Sequence, residues 1–232
     1  MSEYLVIGAS SGIGKQLAIQ LAEAGHTVYG TYQTHKMEDI PGKIVYRYCN
    51  VLDENMELDF LPDRLDGLVY CPGSINLKPF ARMKPEEFVS DFQLQVLGAI
   101  KVIQLTLSKL RAAENPAIVM FSTVAVQVGF NFHSKVSTSK GAIEGLTRAL
   151  AAEFAPTIRV NCIAPSLTDT PLAASLLSTD EKRDANANRH PLKKIGKVHD
   201  IANMAEYLLS EKAGWISGQV IHVDGGMFSL KV

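Results

Sequence analysis

Seven short runs rich in β-branched residues alternate with helical periodicity along this 232-residue chain, and the alternation predicts an α/β fold. Strands that read apolar on both faces and are joined by helices belong to a parallel sheet covered on both sides. Right-handed crossovers then favour a doubly wound, seven-stranded parallel sheet with helices on both faces. The strand-like runs are 4–9, 27–32, 43–51, 67–73, 117–123, 159–166 and 219–224. Helical patterns fall at 12–24, 85–113, 137–154 and 198–211. Neither an internal repeat nor a low-complexity linker divides them, so a single domain over 1–232 is expected. Segment 168–194, rich in Ala, Ser, Asn and charge, follows a strand end. That is the ligand-binding edge of such a sheet, and the segment reads as a substrate lid or as a plain solvated excursion.

Composition removes several classes of function. Apolar residues make up 47% and charged residues 20%, an ordinary globular balance. The net charge is −1 with both signs mixed, so neither nucleic acid nor an anionic membrane is expected as a partner. The longest apolar stretch, 117–130, is broken by Ser122, Thr123 and Gln127 and cannot span a bilayer. No signal-peptide plan precedes the first strand. Cys49, Cys71 and Cys162 are far apart, odd in number and set among apolar residues, as packing thiols of a cytoplasmic protein would be. The six histidines show no paired spacing, and no metal site is expected. No nucleophile elbow is present, which argues against a hydrolase.

The first strand runs directly into Gly8-Ala9-Ser10-Ser11-Gly12-Ile13-Gly14, and a helix follows. Glycines in this setting let the chain turn, approach a pyrophosphate and bring helix against sheet, as in Rossmann-type domains. Free N–H groups and the helix dipole then face the phosphate. The plain alternative is an ordinary strand-to-helix turn. At the end of the second strand, where a carboxylate would bind a ribose 2′-hydroxyl, stands Tyr32, followed by Gln33, Thr34, His35 and Lys36. The missing acid favours NADP(H) over NAD(H).

With these motifs in order, the chain resembles the short-chain dehydrogenase/reductase family over essentially its whole length. The family's GxxxGxG pattern is matched by Gly8, Gly12 and Gly14, and its adenine-binding Asp-Val resembles Asn50-Val51. Its Asn-Ala-Gly turn corresponds to Cys71-Pro72-Gly73, and its catalytic helix to Ser139-Lys140-Gly141-Ala142. Arg159-Val160-Asn161 and Pro165-Ser166 resemble its RVN…PG segment, with Ser166 in place of glycine. The resemblance implies that Pro165, Thr168 and Thr170 contact the nicotinamide carboxamide, and that Lys140 holds the nicotinamide ribose. Lys140 could instead be a snorkelling surface lysine.

The acid–base half departs from the family. Its tyrosine stands four residues before the lysine, and here that position is Val136. Thr123 occupies the family's serine position and would bind the substrate carbonyl, though a β-branched strand end would look the same. Gln95 falls where an asparagine is expected. The nearest titratable group is His133, seven residues before Lys140. That spacing is similar to the tyrosine–lysine separation of the enoyl-reductase branch. His133 is therefore read as the replacement proton donor or, equally, as a loop histidine without a role. His190, in the lid, is set aside as a surface residue.

Gly141, Gly145 and Ala149 form a small-residue stripe on the same helix, part of which is expected to sit on its own sheet. In the family this helix and the one before it build a subunit interface, so a homotetramer is implied. Three functions remain open. One is an NADP(H)-dependent oxidoreductase acting on a small carbonyl, imine or activated double bond. The others are a catalytically silent NADP(H)-binding sensor and a regulatory partner subunit of an active homologue.

Overall fold

The computed structural model describes residues 1–231. In chain order its strands are β1 (Glu3–Ile7), β2 (Thr27–Tyr32), β3 (Ile44–Tyr48), β4 (Gly67–Tyr70), β5 (Ala117–Phe121), β6 (Arg159–Pro165), β7 (Thr168–Asp169), β8 (Gly196–Lys197) and β9 (Val220–Val223). The helices are α1 (Gly12–Glu23), α2 (Pro85–Phe92), α3 (Gly98–Arg111), α4 (Ala125–Val128), α5 (Ser134–Phe154), α6 (Asp180–Asn188) and α7 (Val198–Leu209). The main sheet has seven parallel strands in the order β3-β2-β1-β4-β5-β6-β9, as the alternation predicts. Between β1 and β4 the winding reverses, which opens a crevice at the carboxyl ends of the strands.

Both faces are buried by period-two alternation. On β1, Leu5 and Ile7 join Val102, Leu110, Ile143 and Phe154 in one core, under α3 and α5. Tyr4 and Val6 join Leu17, Leu21, Ile201 and Leu208 in the other, under α1 and α7. Arg159 ties the sheet to the end of α7 by donating to the carbonyls of Leu208 (2.7 Å), Ala213 (3.1 Å) and Ser210 (3.2 Å). It thereby satisfies the orphan acceptors of that helix end.

Three expectations need correction. The helical pattern at 85–113 is not one helix: a π-type turn, Gln93–Leu97, separates α2 from α3. The third strand stops at Tyr48, because the chain turns at Asn50, whose side chain accepts from the Leu52 N–H at 3.1 Å. The Gly145 and Ala149 part of the small-residue stripe is exposed, and the sheet-facing residues of α5 are Ile143, Thr147 and Ala151. The lid segment forms β7, a 3₁₀ turn (Pro171–Leu177) and α6, and β7 pairs in parallel with β8 at its far end.

Candidate active site

The crevice is a cavity of about 550 Å³. Its floor begins at the β1–α1 turn. Gly8 (φ +80°) and Gly12 (φ +52°) take left-handed conformations, which bend the chain across the strand end. The Gly8 N–H donates to Thr31 Oγ1 at 3.0 Å, and a Cβ on Gly14 would overlap the Gly8 carbonyl oxygen. Ser11 is the N-cap of α1, but its side chain caps nothing and no acid occupies the first turn. The helix thus presents free N–H groups to the cavity, the arrangement that receives an anion. Ser10, Ser11 and Ile13 line the wall with the three glycines.

Beyond the turn, Thr31, Tyr32, Gln33, Thr34, Cys49 and Val51 line the cavity at the ends of β2 and β3. Tyr32 meets Tyr48 edge-on at 6.2 Å. Asn50 is not among the lining residues. Its amide nitrogen donates to Asp53 (2.7 Å) and its oxygen accepts from Gln33 (3.1 Å). The lining residues Cys49, Gln33 and Thr31 are additions from the structure. Each was hidden in a strand end whose direction only the sheet reveals.

At the opposite end Lys140, Thr123, Val136, Cys71, Pro72 and Gly73 share the wall with Pro165, Thr168 and Thr170. Val136 is buried (6% exposed), so an aliphatic surface faces the cavity where a phenol would stand. Thr123 Oγ1 accepts only a long bond from the Ala125 N–H (3.3 Å) and keeps its proton free for a ligand. Burial pulls the Lys140 ammonium down to about 8, against the opposing pull of Cys162, Asp91 and Cys71. Burial also lifts the Cys71 thiol to about 12, although Lys140 draws it back, which fits a packing role.

Beneath this end lies a buried carboxylate that no motif announces. Asp91 accepts from Ser74, from Gln95 Nε2 (2.6 Å) and from Ser139 (2.7 Å). These bonds fix the amide of Gln95, whose buried Oε1 has no protein partner. A Cβ on Gly73 would lie 3.3 Å from that oxygen and 3.6 Å from Lys140 Nζ. An acceptor and a donor therefore converge on the gap that glycine leaves.

Segment 168–194 contributes Leu172, Ala173, Leu176, Asn186, Arg189 and His190 to the cavity wall. His133, the N-cap residue of α5, reaches the rim with Nδ1 donating to the Asn131 carbonyl (2.8 Å). Its ring meets Phe130 edge-on, and the Arg189 guanidinium covers that phenyl ring at 5.2 Å. His190 is not a surface residue. It is 3% exposed, donates from Nδ1 to the Asn186 carbonyl (2.9 Å) and meets Ser166 Oγ with Nε2 at 2.8 Å. Sequence reading missed it because polar neighbours masked its burial.

A free helix N-terminus on a glycine cradle, at the switch point of a doubly wound sheet, defines the class: a dinucleotide-binding domain. The family model described as enoyl-(acyl carrier protein) reductase matches residues 8–228. The chain is 32% identical over 240 residues to the 3-oxoacyl-[acyl-carrier-protein] reductase of Staphylococcus aureus, covering 97% of each. The corresponding reductase of Thermotoga maritima is 29% identical over 238 residues, with 96% of each covered. Among solved structures, the aldohexose dehydrogenase of Thermoplasma acidophilum superposes with a TM-score of 0.91 at 25% identity, covering 100% of this chain and 96% of that one. ElxO with NADP bound gives 0.90 at 26% identity, with 99% and 100% covered. The chain belongs to the short-chain dehydrogenase/reductase family, and it is a dehydrogenase/reductase of that family.

Proposed function

We propose that the protein is an NADP(H)-dependent oxidoreductase that reduces a small carbonyl, imine or activated double bond, or runs the reverse. One observation carries the reading: the uncapped first turn of α1, the Gly73 gap and Lys140 line one continuous cavity of about 550 Å³. The residues fit such a cofactor, which when bound supplies the hydride. The Gly8–Gly14 turn receives the pyrophosphate, Val51 packs the adenine side, and Lys140 donates to the nicotinamide ribose. Pro165, Thr168 and Thr170 hold the carboxamide end, and Thr123 donates to the substrate oxygen. Tyr32, Thr34, His35 and Lys36 leave the second ribose without a carboxylate neighbour, which supports the phosphorylated dinucleotide.

The proton that completes reduction has no phenol to come from. Two imidazoles reach the cavity, His133 at the rim and His190 in the lid. General acid catalysis contributes roughly 10²–10⁴-fold, so losing the donor is a large effect. A His133→Ala variant that lost this much turnover at unchanged NADPH affinity would place the donor at the rim. NADP-bound ElxO supports the cofactor, and the 3-oxoacyl-[acyl-carrier-protein] reductases offer a 3-oxoacyl thioester as the first probe. Fluorescence titration with NADPH and NADH, then NADPH consumption with acetoacetyl-coenzyme A and a panel of ketones and imines, tests the reading. Saturable NADPH binding tighter than NADH, with turnover, is expected. Binding without turnover across the panel would leave the silent sensor, and no binding would leave the partner subunit. Among the described residues no helix is long and apolar enough to cross a membrane. Three free thiols fit the reducing cytoplasm.

A further inference from the structure

Ser166 and His190 stand in the wall between two cavities. Both line the large crevice, and both line a smaller neighbouring cavity of about 280 Å³. The tautomer follows from the bonds. The Asn186 carbonyl can only accept, so His190 Nδ1 carries a hydrogen, and in the neutral ring Nε2 accepts from Ser166 Oγ–H at 2.8 Å. Asn186 lies in the last turn of α6, and a helix's carbonyl end tolerates positive charge on a capping ring.

Ser166 also sits beside the proposed carbonyl site. Ser122 N–H donates to the Ile163 carbonyl (2.7 Å) and Val124 N–H to the Pro165 carbonyl (3.0 Å). The ends of β5 and β6 therefore run alongside each other, with Pro165 opposite Thr123 and Ser166 the next residue along, opposite Val124, and Thr123 and Ser166 line the same crevice.

We infer that Ser166 and His190 deliver the proton, in place of the missing phenol, to the substrate oxygen held by Thr123. The inference rests on the oxidoreductase reading above. When His190 is neutral, the Ser166 hydrogen is committed to Nε2 and the hydroxyl offers the cavity only lone pairs. When the ring is protonated, Nε2–H donates to Oγ, and the Ser166 hydrogen turns toward the cavity. As the substrate carbon gains a hydride from the reduced nicotinamide, the C=O π pair moves to oxygen. That oxygen takes the Ser166 proton, Oγ takes the Nε2 proton, and His190 is left neutral. One hydride, carrying both electrons, and one proton have then reduced the carbonyl to the alcohol. The ring regains its proton from solvent in the smaller cavity. The charged groups around it there are Asp200, Asp224 and Lys194, with Arg189 on the crevice side. Asp224 is engaged by the N–H groups of Gly226 (2.9 Å) and Phe228 (2.8 Å), and Asp200 by that of Lys197 (2.8 Å).

The test compares Ser166→Ala, His190→Asn, the double variant and His133→Ala with the wild type. Asparagine keeps a donor for the Asn186 carbonyl and lacks Nε2, so the lid contact survives while the relay is cut. With NADPH and acetoacetyl-coenzyme A, Ser166→Ala and His190→Asn are each expected to lose about 10²-fold or more in kcat at unchanged NADPH affinity, while His133→Ala stays near wild-type turnover. The double variant should be no slower than the slower single one, as for groups acting as a unit. Wild-type reduction should fall as pH rises, and the variants should flatten that limb. Independently of turnover, side-chain nitrogen NMR of the NADPH-saturated wild type should show the Nδ1–H tautomer of His190 becoming doubly protonated on acidification. A His190 ring that stays neutral to the acid limit of the folded protein overturns the proposal. So does a loss confined to His133→Ala with the other variants at wild-type turnover. A wild type that turns over no probe fails at an earlier step and removes the oxidoreductase reading together with this one.

Discussion

Lys140 shows how one side chain links stability to binding. The folded chain holds its proton more weakly than the unfolded chain does, with about 8 against 10.5. Charge on this lysine therefore disfavours the folded state, fully so below about 8. The penalty fades as pH climbs through 10.5. Stability of the ligand-free protein attributable to this residue should rise across that window. Lys140→Met should raise the melting temperature at neutral pH and abolish the rise, while abolishing NADPH binding. A lower melting point for the variant would contradict the burial argument. Gly14 makes a different demand, since its Cβ would meet a carbonyl oxygen that cannot move without distorting the cradle. Gly14→Ala should cost on the order of 1–3 kcal/mol and weaken NADPH binding at least tenfold, measured by denaturant melts and fluorescence titration.

Two polar side chains are buried where α2 meets the π-type turn. Asp91 (4% exposed) and Gln95 (0% exposed) lie one turn apart and hydrogen-bond to each other. Asp91→Ala leaves the donors on Ser74, Gln95 and Ser139 without their acceptor, and should destabilise the fold by about 3 kcal/mol in chemical denaturation. A loss below 0.5 kcal/mol would mean that water replaces the carboxylate. None of this was legible in the sequence. Hydrophobic periodicity marked 85–113 as helix and could not register a turn that widens by one residue. Asp91 sits in a polar stretch where an exposed acid is the ordinary reading. The cradle was legible because its chemistry is local: glycines, a strand before them, a helix after. The sheet was legible for the same reason, each strand carrying its own two-sided apolar run. His190 and Ser166 are 24 residues apart and meet only through the path of the lid, so spacing alone could not pair them.

For the molecule as a whole, we propose the homotetramer that the family resemblance implies, and the outward faces of α3 and α5 are the surfaces it requires. Gly145 has no neighbour within 4 Å, and Leu105 on α3 is 45% exposed. Close helix approach across that stripe would bury both. Light scattering at micromolar concentration should give the mass of four chains. Gly145→Arg, which meets open space within its own chain, should break the assembly and leave the isolated fold intact. An unchanged mass for the variant would place the interface elsewhere.

The pairing of Thr168 with Gly196 and of Asp169 with Lys197 knots the two ends of the lid together at the sheet edge. We propose that this segment opens as a purse drawn at the neck, not as a flap on one hinge. Admitting a ligand then requires the 3₁₀ segment Pro171–Leu177 to flex while the knot holds. Amide hydrogens in that segment should exchange with deuterium faster than those of the knot, and added NADPH should narrow the difference.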